Sequence, residues 1–188
     1  VMPVSSLAAA VERRKMLVEF TKRLMVNGRD YGVIPGTEKP ALLKPGAEKL
    51  LNYFGLTTRF EIIANEKDWT GEHHNVEPFF NYEIRCQIFY REQLIAEGFG
   101  CCNSWEKKFR YRNAKRTCPS CHQPAIMLSK FNGGYYCNPK QGGCGKIFPA
   151  NEPQLSNQAG EKIANPDIAD QVNTILKIAK KRAFIDAT

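Results

Sequence analysis

The sequence has no apolar run that approaches the length of a membrane span, so we do not expect an integral membrane helix. Its first residues, Val1–Ser6, lack the basic and apolar pattern of a secretory signal, and no internal repeat is visible. No glycine-rich loop ends in Gly-Lys-Ser/Thr, which excludes that class of nucleotide-hydrolysing site.

Acidic residues are the scarcer charge: there are 19 Asp and Glu against 27 Lys and Arg, which gives a net charge of +8 at pH 7. A basic chain favours a polyanionic partner, although charge bears on affinity and solubility rather than on fold. The 188 residues are 43% apolar, enough for one domain with an insert. The chain starts at Val1 and stops at Thr188 inside or just after a helical pattern, which suggests a trimmed piece of a longer protein.

Four of the seven cysteines follow the spacing C-x2-C-x15-C-x6-C, with glycines in the intervening turns. Two thiolate pairs on facing loops can close a tetrahedral site around one zinc ion. We therefore predict one structural Zn2+ in a zinc-ribbon insert over residues 118–148. The predicted ligands are Cys118, Cys121, Cys137 and Cys144. His122 is a weaker candidate, because it adjoins Cys121, and a redox role for the first cysteine pair is the minor alternative.

The other three cysteines, Cys86, Cys101 and Cys102, lie in predicted strands. We expect them to be reduced thiols, which indicates a reducing, cytoplasmic location.

A basic strip, Lys107–Arg116, precedes the first cysteine pair and contains no acid. As an extended strand it would place Lys107, Phe109 and Tyr111 on one face, so that bases could stack on one side and phosphates follow the other. The alternative is a solvated edge strand whose lysines discourage aggregation. The predicted nucleic-acid contacts in the strip are Lys107, Lys108, Phe109, Arg110, Tyr111, Arg112, Lys115 and Arg116.

The strongest secondary-structure signal is an alternating strand over Phe79–Tyr90, between predicted strands at Thr57–Ala64 and Leu94–Cys102. Helices are predicted from Ser5 or Ser6 to about Val26, from Pro45 to Phe54, and from the Asn165-Pro166-Asp167 start onward. The expected fold is α+β: a three-stranded or larger antiparallel meander packed by helices. Its core would comprise residues 1–117 and 149–188.

Within the segment Arg29–Lys44, the Gly- and Pro-rich part Asp30–Pro40 is predicted to lack regular structure. Three interpretations of this segment stay open: an ordinary surface loop, a DNA-facing loop and a contact between subunits.

The last helix carries the cations Lys177, Lys180, Lys181 and Arg182. The helix dipole favours cations near a C-terminus, which is a sufficient structural explanation for them. Nucleic-acid binding is the second explanation.

The order of these elements resembles the single-strand annealing superfamily, which includes the eukaryotic Rad-type protein and phage recombinases of the Erf and RecT kinds. The similar segments are Gly46–Gly55, the meander from Thr57 to Gly100, and Ala179–Ile185, which resembles the family's Lys-Arg-Ala signature. The resemblance covers roughly residues 29–104 and 166–188, and the zinc ribbon departs from it.

The resemblance implies sequence-independent binding and annealing of single-stranded DNA in recombination or repair, by a non-enzymatic homo-oligomer that forms a ring or filament. It also implies a bacterial or phage-infected cell and a replication or recombination partner. Two alternatives stay open. One is a recruitment module of a replication or transposition complex. The other is a metal-dependent nuclease built from Glu61, Glu83, Glu97 or Glu106, for which carboxylates would have to converge on a cation.

Overall fold

The chain divides into two compact units, and the computed structural model describes residues 6–130, 133–158 and 162–188. The first unit, here called the sheet unit, consists of the segment up to Asn103 and the C-terminal segment Val172–Thr188. The second unit, here called the ribbon unit, is Ser104–Gln171. It contains the predicted insert 118–148 together with its flanking segments.

Elements are numbered in chain order. The first part of the sheet unit contains α1 (Leu7–Leu24), β1 (Tyr31–Val33), β2 (Pro40–Leu42), α2 (Lys44–Phe54), β3 (Thr57–Asp68), β4 (Phe79–Tyr90) and β5 (Gln93–Asn103). The ribbon unit contains α3 (Lys107–Arg110), β6 (Tyr111–Asn113), β7 (Ile126–Leu128), β8 (Tyr135–Cys137), β9 (Ile147–Phe148), α4 (Pro153–Ser156) and β10 (Lys162–Ala164). Helix α5 (Val172–Ala187) completes the sheet unit.

The sheet unit is built on an antiparallel meander in the order β3-β4-β5, which confirms the predicted α+β class and the three strands. Alternate residues of β4 are buried, from Phe80 to Ile88, as the period-two pattern predicts. Strand β3 continues to Asp68, beyond its predicted end at Ala64, because its ladder with β4 continues past a bulge between Ile62 and Ala64.

Helix α5 covers the apolar face of β4 and β5. Its buried residues Ile175, Ala179 and Ala183 recur every four positions, so they form one stripe along the helix. The last helix was predicted to start at Asn165-Pro166-Asp167, which is several residues before the observed start of α5. A 3-10 turn, Ile168–Gln171, precedes the α-helix, which begins at Val172.

The segment before the meander is more regular than predicted. Strands β1 and β2 pair as a short antiparallel hairpin within the loop that was predicted to be irregular. Ser6 caps α1, since its side-chain oxygen accepts a hydrogen bond from the N–H of Ala9 (3.2 Å), whereas Ser5 lies outside the described residues. Helix α1 ends at Leu24 rather than Val26 and buries only Phe20, whose ring lies 4.8 Å from that of Tyr53.

The ribbon unit contains a second, smaller three-stranded antiparallel sheet in the order β7-β8-β9 and a separate pair formed by β6 and β10. The segment 151–165 contains α4 and β10. Among the described residues, no helix has the combination of length and apolar character that a membrane span requires.

Candidate functional site

The four predicted ligands come together. The sulfur atoms of Cys118, Cys121, Cys137 and Cys144 all lie within 4.8 Å of one another. The shortest pairs are Cys121–Cys137 at 3.6 Å and Cys118–Cys144 at 3.8 Å. Disulfide sulfurs are only about 2.05 Å apart. Four thiolates at about 2.3 Å from one tetrahedral metal ion are about 3.8 Å from each other, so this cluster could bind a metal ion and form a zinc site.

The two arms of the cluster repeat the same backbone pattern. In the first arm the N–H of His122 donates to the carbonyl oxygen of Cys118 (2.9 Å), and in the second the N–H of Gly145 donates to that of Cys137 (3.0 Å). His122 and Gly145 both have positive φ angles, +56° and +79°. Each follows the second cysteine of its arm, where the chain must reverse. His122 is therefore an exposed turn residue and does not belong to the group of candidate ligands.

Backbone N–H groups also point at the sulfurs. Ser120 donates to the sulfur of Cys118 (3.4 Å) and Cys144 donates to that of Cys137 (3.3 Å). Gly143 makes the second contact feasible, because a Cβ atom there would lie 2.5 Å from the Cys137 sulfur. Such donors stabilise negative sulfur and fit a thiolate site that holds a cation.

The pKa values of two of these cysteines diverge. The pKa of Cys121 is lowered to about 7, chiefly because the backbone N–H of Gln123 donates to its sulfur. Burial raises the pKa of Cys137 to about 12. Metal binding must displace these protons, so metal affinity should rise with pH.

The cluster is also the centre of the ribbon unit's core. Cys118 and Cys137 are fully buried and pack with Ala125, Phe148 and Leu155. This core is small, so a bound metal would contribute a large share of the unit's stability.

The basic strip is not one extended strand, and this expectation was wrong. Its first four residues form α3, and only Tyr111–Asn113 extends as β6. Phe109 is 6% exposed, so burial removes it from the residues that could stack on a base. The reason is local: the N–H groups of Phe109 and Arg110 both donate to the carbonyl oxygen of Glu106, which closes a helical turn.

Several cations of the strip have partners inside the ribbon unit. Arg112 forms an ion pair with Asp167, and Lys108 lies 3.2 Å from a carboxylate oxygen of Glu106. Arg116 donates to the carbonyl oxygen of Leu155 (3.0 Å) and covers the ring of Tyr135. The guanidinium of Arg110 lies 4.7 Å from the centre of the Trp105 ring. The strip residues exposed to solvent are Lys107, Lys108, Tyr111, Asn113 and Lys115.

The lysines of α5 line a groove in the sheet unit. Lys177, Lys180 and Lys181 are exposed and border a cavity of about 820 Å3 between α5, α2 and the start of β3. The ammonium of Lys180 lies 4.6 Å from the centre of the Phe60 ring, which is 38% exposed. Lys44 lies on the opposite wall and pairs with Glu48 at 3.1 Å.

Arg182 does not line this groove. Its guanidinium donates to the carbonyl oxygen of Cys101 on β5 (2.6 Å), so the structure separates it from its sequence neighbour Lys181. Phe60, which the sequence did not mark as a site residue, lines the groove instead, together with Lys44 at the end of the segment considered as a DNA-facing loop. The sequence pattern that could have identified Phe60 is the alternation near the start of β3. Phe60 pairs with the buried Cys86 of β4 and therefore lies on the sheet face that α5 covers.

No three of the acids considered for a nuclease lie close enough, among the described residues, to share an ion. Glu61 pairs with Arg85 on the open face of the sheet, while Glu106 lies in the ribbon unit. Within the described ranges, the four cysteines are the one group of three or more metal-ligating side chains close enough to share an ion.

Comparison with models of known protein families, with curated proteins and with solved structures finds no match. The resemblance to annealing proteins is therefore still a prediction.

Proposed function

We propose that this chain binds single-stranded DNA through its phosphate backbone and promotes the pairing of complementary strands without catalysing a reaction. The observation that supports this most directly is the groove lined by Lys177, Lys180 and Lys181. Lys177 and Lys181 are four residues apart on one helix, where like charges repel. No acid among the described residues pairs with any of the three, so an anionic ligand would relieve that repulsion.

Annealing requires a protein to hold the backbone and leave base edges free to pair. Mobile lysine side chains are point charges that suit phosphates without reading sequence. The exposed ring of Phe60 beside Lys180 offers one surface on which a base can stack. The groove thus combines the two features of sequence-independent single-strand binding.

Assembly into a homo-oligomer belongs to the same proposal. Within the described residues, β3 and β5 are the edge strands of the meander, and no further strand pairs with either. Side chains of α5 bond to the outer edge of β5 at Phe99 and Cys101, which leaves β3 as the open edge. Long unpaired edges invite pairing with another chain. A ring or filament would extend the lysine groove over several copies and lengthen the bound strand.

We also propose that the four thiolates hold one zinc ion with a structural role, since four protein ligands leave no open position for chemistry. Reduced thiols would require a reducing compartment such as the cytoplasm. Metal analysis should find one zinc per chain. In the zinc-loaded protein, a thiol reagent should modify the exposed Cys101 and spare the buried Cys86 and Cys102. Burial raises the pKa of Cys86 to about 11, so its reactive thiolate is scarce at neutral pH.

The test of function is a strand-annealing assay with two complementary labelled oligonucleotides, without nucleotide or added magnesium. The wild type should pair them faster than buffer alone. The double variant Lys177→Gln/Lys181→Gln should bind and anneal strands weakly. The slope of its log affinity against log salt concentration should be shallower by about 0.7 for each phosphate contact that is lost. Lys22→Gln on α1 removes an exposed charge outside the groove and is the matched control. Equal annealing by the wild type and buffer would defeat the proposal.

A second candidate is a recruitment module in which the ribbon unit binds a protein. The register of β7, β8 and β9 places Met127, Tyr136 and Ile147 in one row, and Ile147 is 68% exposed. An exposed apolar row of this kind favours a protein contact. Single-strand binding without any acceleration of pairing would favour this alternative.

A further inference from the structure

A small cationic cavity lies in the ribbon unit, apart from the cysteine cluster. It measures about 260 Å3 and is lined by Lys107, Tyr111, Arg112, Asn113 and Lys162. The antiparallel pairing of β6 with β10 brings Lys162 opposite Asn113, about fifty positions earlier in the chain. Three cations from two distant segments therefore border one concave site.

Arg112 is only partly satisfied in this site. Its terminal Nη1 atom contacts Asp167, whereas its Nε atom is buried and has no hydrogen-bond partner among the described residues. A buried donor without an acceptor costs free energy, which an acceptor on a ligand would recover. The guanidinium fork is suited to an oxyanion.

The two lysines carry the excess charge of the cavity. Asp167 offsets the charge of Arg112, but Lys107 and Lys162 are exposed and neither pairs with an acid among the described residues. Two ammonium groups and one unsatisfied guanidinium donor match a ligand with several negatively charged oxygens. The ring of Tyr111, 41% exposed, lies beside them as a flat apolar surface.

We infer that this cavity is a phosphate-binding subsite, in which Lys107, Lys162 and the Nε donor of Arg112 hold the oxygens of one phosphate group. The phosphate is either a single internal phosphodiester of a strand or a free phosphate. The first case rests on the proposed function and would add a contact in the ribbon unit to the groove of the sheet unit. The second case does not depend on it.

The test uses the whole chain loaded with zinc, with the Nε–Hε signal of Arg112 followed by 1H–15N NMR. The Nε–Hε signal is assigned to Arg112 by its disappearance in the variant Arg112→Lys. If this variant does not fold, through-bond experiments on the wild type assign the signal. Inorganic phosphate and a thymidine dinucleotide with one internal phosphodiester are titrated separately. Binding of either should move the signal as the donor gains an acceptor.

Lys162→Gln and Lys107→Gln should each lower the affinity for whichever titrant binds by about tenfold. This is the order expected when a hydrogen bond between charged groups is lost. Lys140→Gln removes an exposed charge elsewhere in the ribbon unit and should leave binding unchanged. Movement with the dinucleotide alone identifies a strand-backbone subsite, and movement with both identifies a general phosphate site.

Failure of the two proposals can be told apart. If neither titrant moves the Arg112 signal and Lys162→Gln binds them like the wild type, the subsite is refuted, even if oligonucleotides still bind the lysine groove. If phosphate moves the signal but no oligonucleotide binds or anneals, the subsite stands and the proposed function fails.

Discussion

Adjacent residues of α5 have different roles, because the helix turns their side chains to different surroundings. Lys181 lines the groove, whereas Arg182 donates to the carbonyl oxygen of Cys101. We predict that Lys181→Gln lowers single-strand affinity and flattens its salt dependence by about 0.7 without changing the melting temperature. Arg182→Gln should lower the free energy of unfolding by about 1 kcal/mol, since an edge carbonyl loses a charged donor.

These two variants are compared by oligonucleotide titration at several salt concentrations and by thermal unfolding. Lys22→Gln again controls for the loss of one surface charge. A melting temperature unchanged in Arg182→Gln, with affinity reduced as in Lys181→Gln, would show that both residues bind the strand and that the separation is wrong.

Asp30 links the end of α1 to α2. It is fully buried, and its Oδ2 accepts hydrogen bonds from the Lys49 ammonium and from the backbone N–H of Val26 (2.8 Å). These interactions, the Lys49 bond first, hold the pKa of Asp30 below its ordinary value of 3.8. A depressed carboxyl pKa stabilises the folded state above the unfolded pKa, and that contribution is lost as the pH falls through the folded value.

We therefore predict that Asp30→Asn lowers the free energy of unfolding by about 1–3 kcal/mol at pH 7. The difference from the wild type should shrink as the pH falls below 3.8. Urea denaturation between pH 7 and pH 3 measures it, followed by Trp69 fluorescence in a Trp105→Phe background, because Trp69 lies in the sheet unit. A difference that stays constant over this range would contradict the assigned role of the charge.

At the residue scale, the sequence predicted the four clustered cysteines because metal ligands impose a spacing that can be read directly. It could not predict that Arg182 faces β5, nor that Phe109 is buried, because both depend on which neighbour each side chain meets. Lys162 gave no signal at all: its place in the cavity with Lys107 and Arg112 follows from the pairing of β10 with β6.

At the scale of elements, the contact between α5 and β5 depends on small residues. A Cβ atom on Gly100 would lie 2.2 Å from the backbone nitrogen of Ala183, and one on Gly98 would lie 2.2 Å from that of Ala187. The helix backbone thus rests directly on the strand. Gly98, Gly100 and the alanines of α5 can be read from the sequence, but nothing in their spacing shows that they face each other.

We predict that Gly100→Ala destabilises the sheet unit by about 1–3 kcal/mol, since the helix must move away from the strand. Gly32→Ala is the matched control: a Cβ atom there has its nearest contact at the ordinary distance of 3.6 Å. Urea denaturation with the Trp69 signal compares them. Equal stability of the two variants would mean that the helix can shift at little cost.

Whether the sequence predicted an element depends on whether the element is long enough to show a periodic burial pattern. The alternation in β4 is strong because one face is buried along its whole length. The short strands β6 and β10 are three residues each, too short for a periodic signal, and they exist through their mutual pairing. The turn of α3 is likewise set by local hydrogen bonds to Glu106 rather than by an amphipathic pattern.

At the scale of the whole molecule, the chain consists of two compact units whose cores differ in composition. The sheet unit buries a continuous apolar layer under α5, including Phe80, Ile84 and Ile175. The core of the ribbon unit includes two of the four clustered cysteines, Cys118 and Cys137, as fully buried residues. If the proposed metal is bound, the two units should respond differently to its removal, because the candidate ligands among the described residues lie in the ribbon unit.

The two tryptophans allow this to be measured, since Trp69 lies in the sheet unit and Trp105 in the ribbon unit. We predict that a chelator unfolds the ribbon unit and shifts Trp105 emission in a Trp69→Phe variant, while Trp69 emission in a Trp105→Phe variant stays native. Chelation should also abolish the phosphate response of Arg112 but preserve oligonucleotide binding by the lysine groove, with a flatter salt dependence. Restored zinc should reverse each change. If Trp69 emission shifts at the same chelator concentration as Trp105 emission, the metal stabilises the whole chain, and the division into independently stable units is refuted.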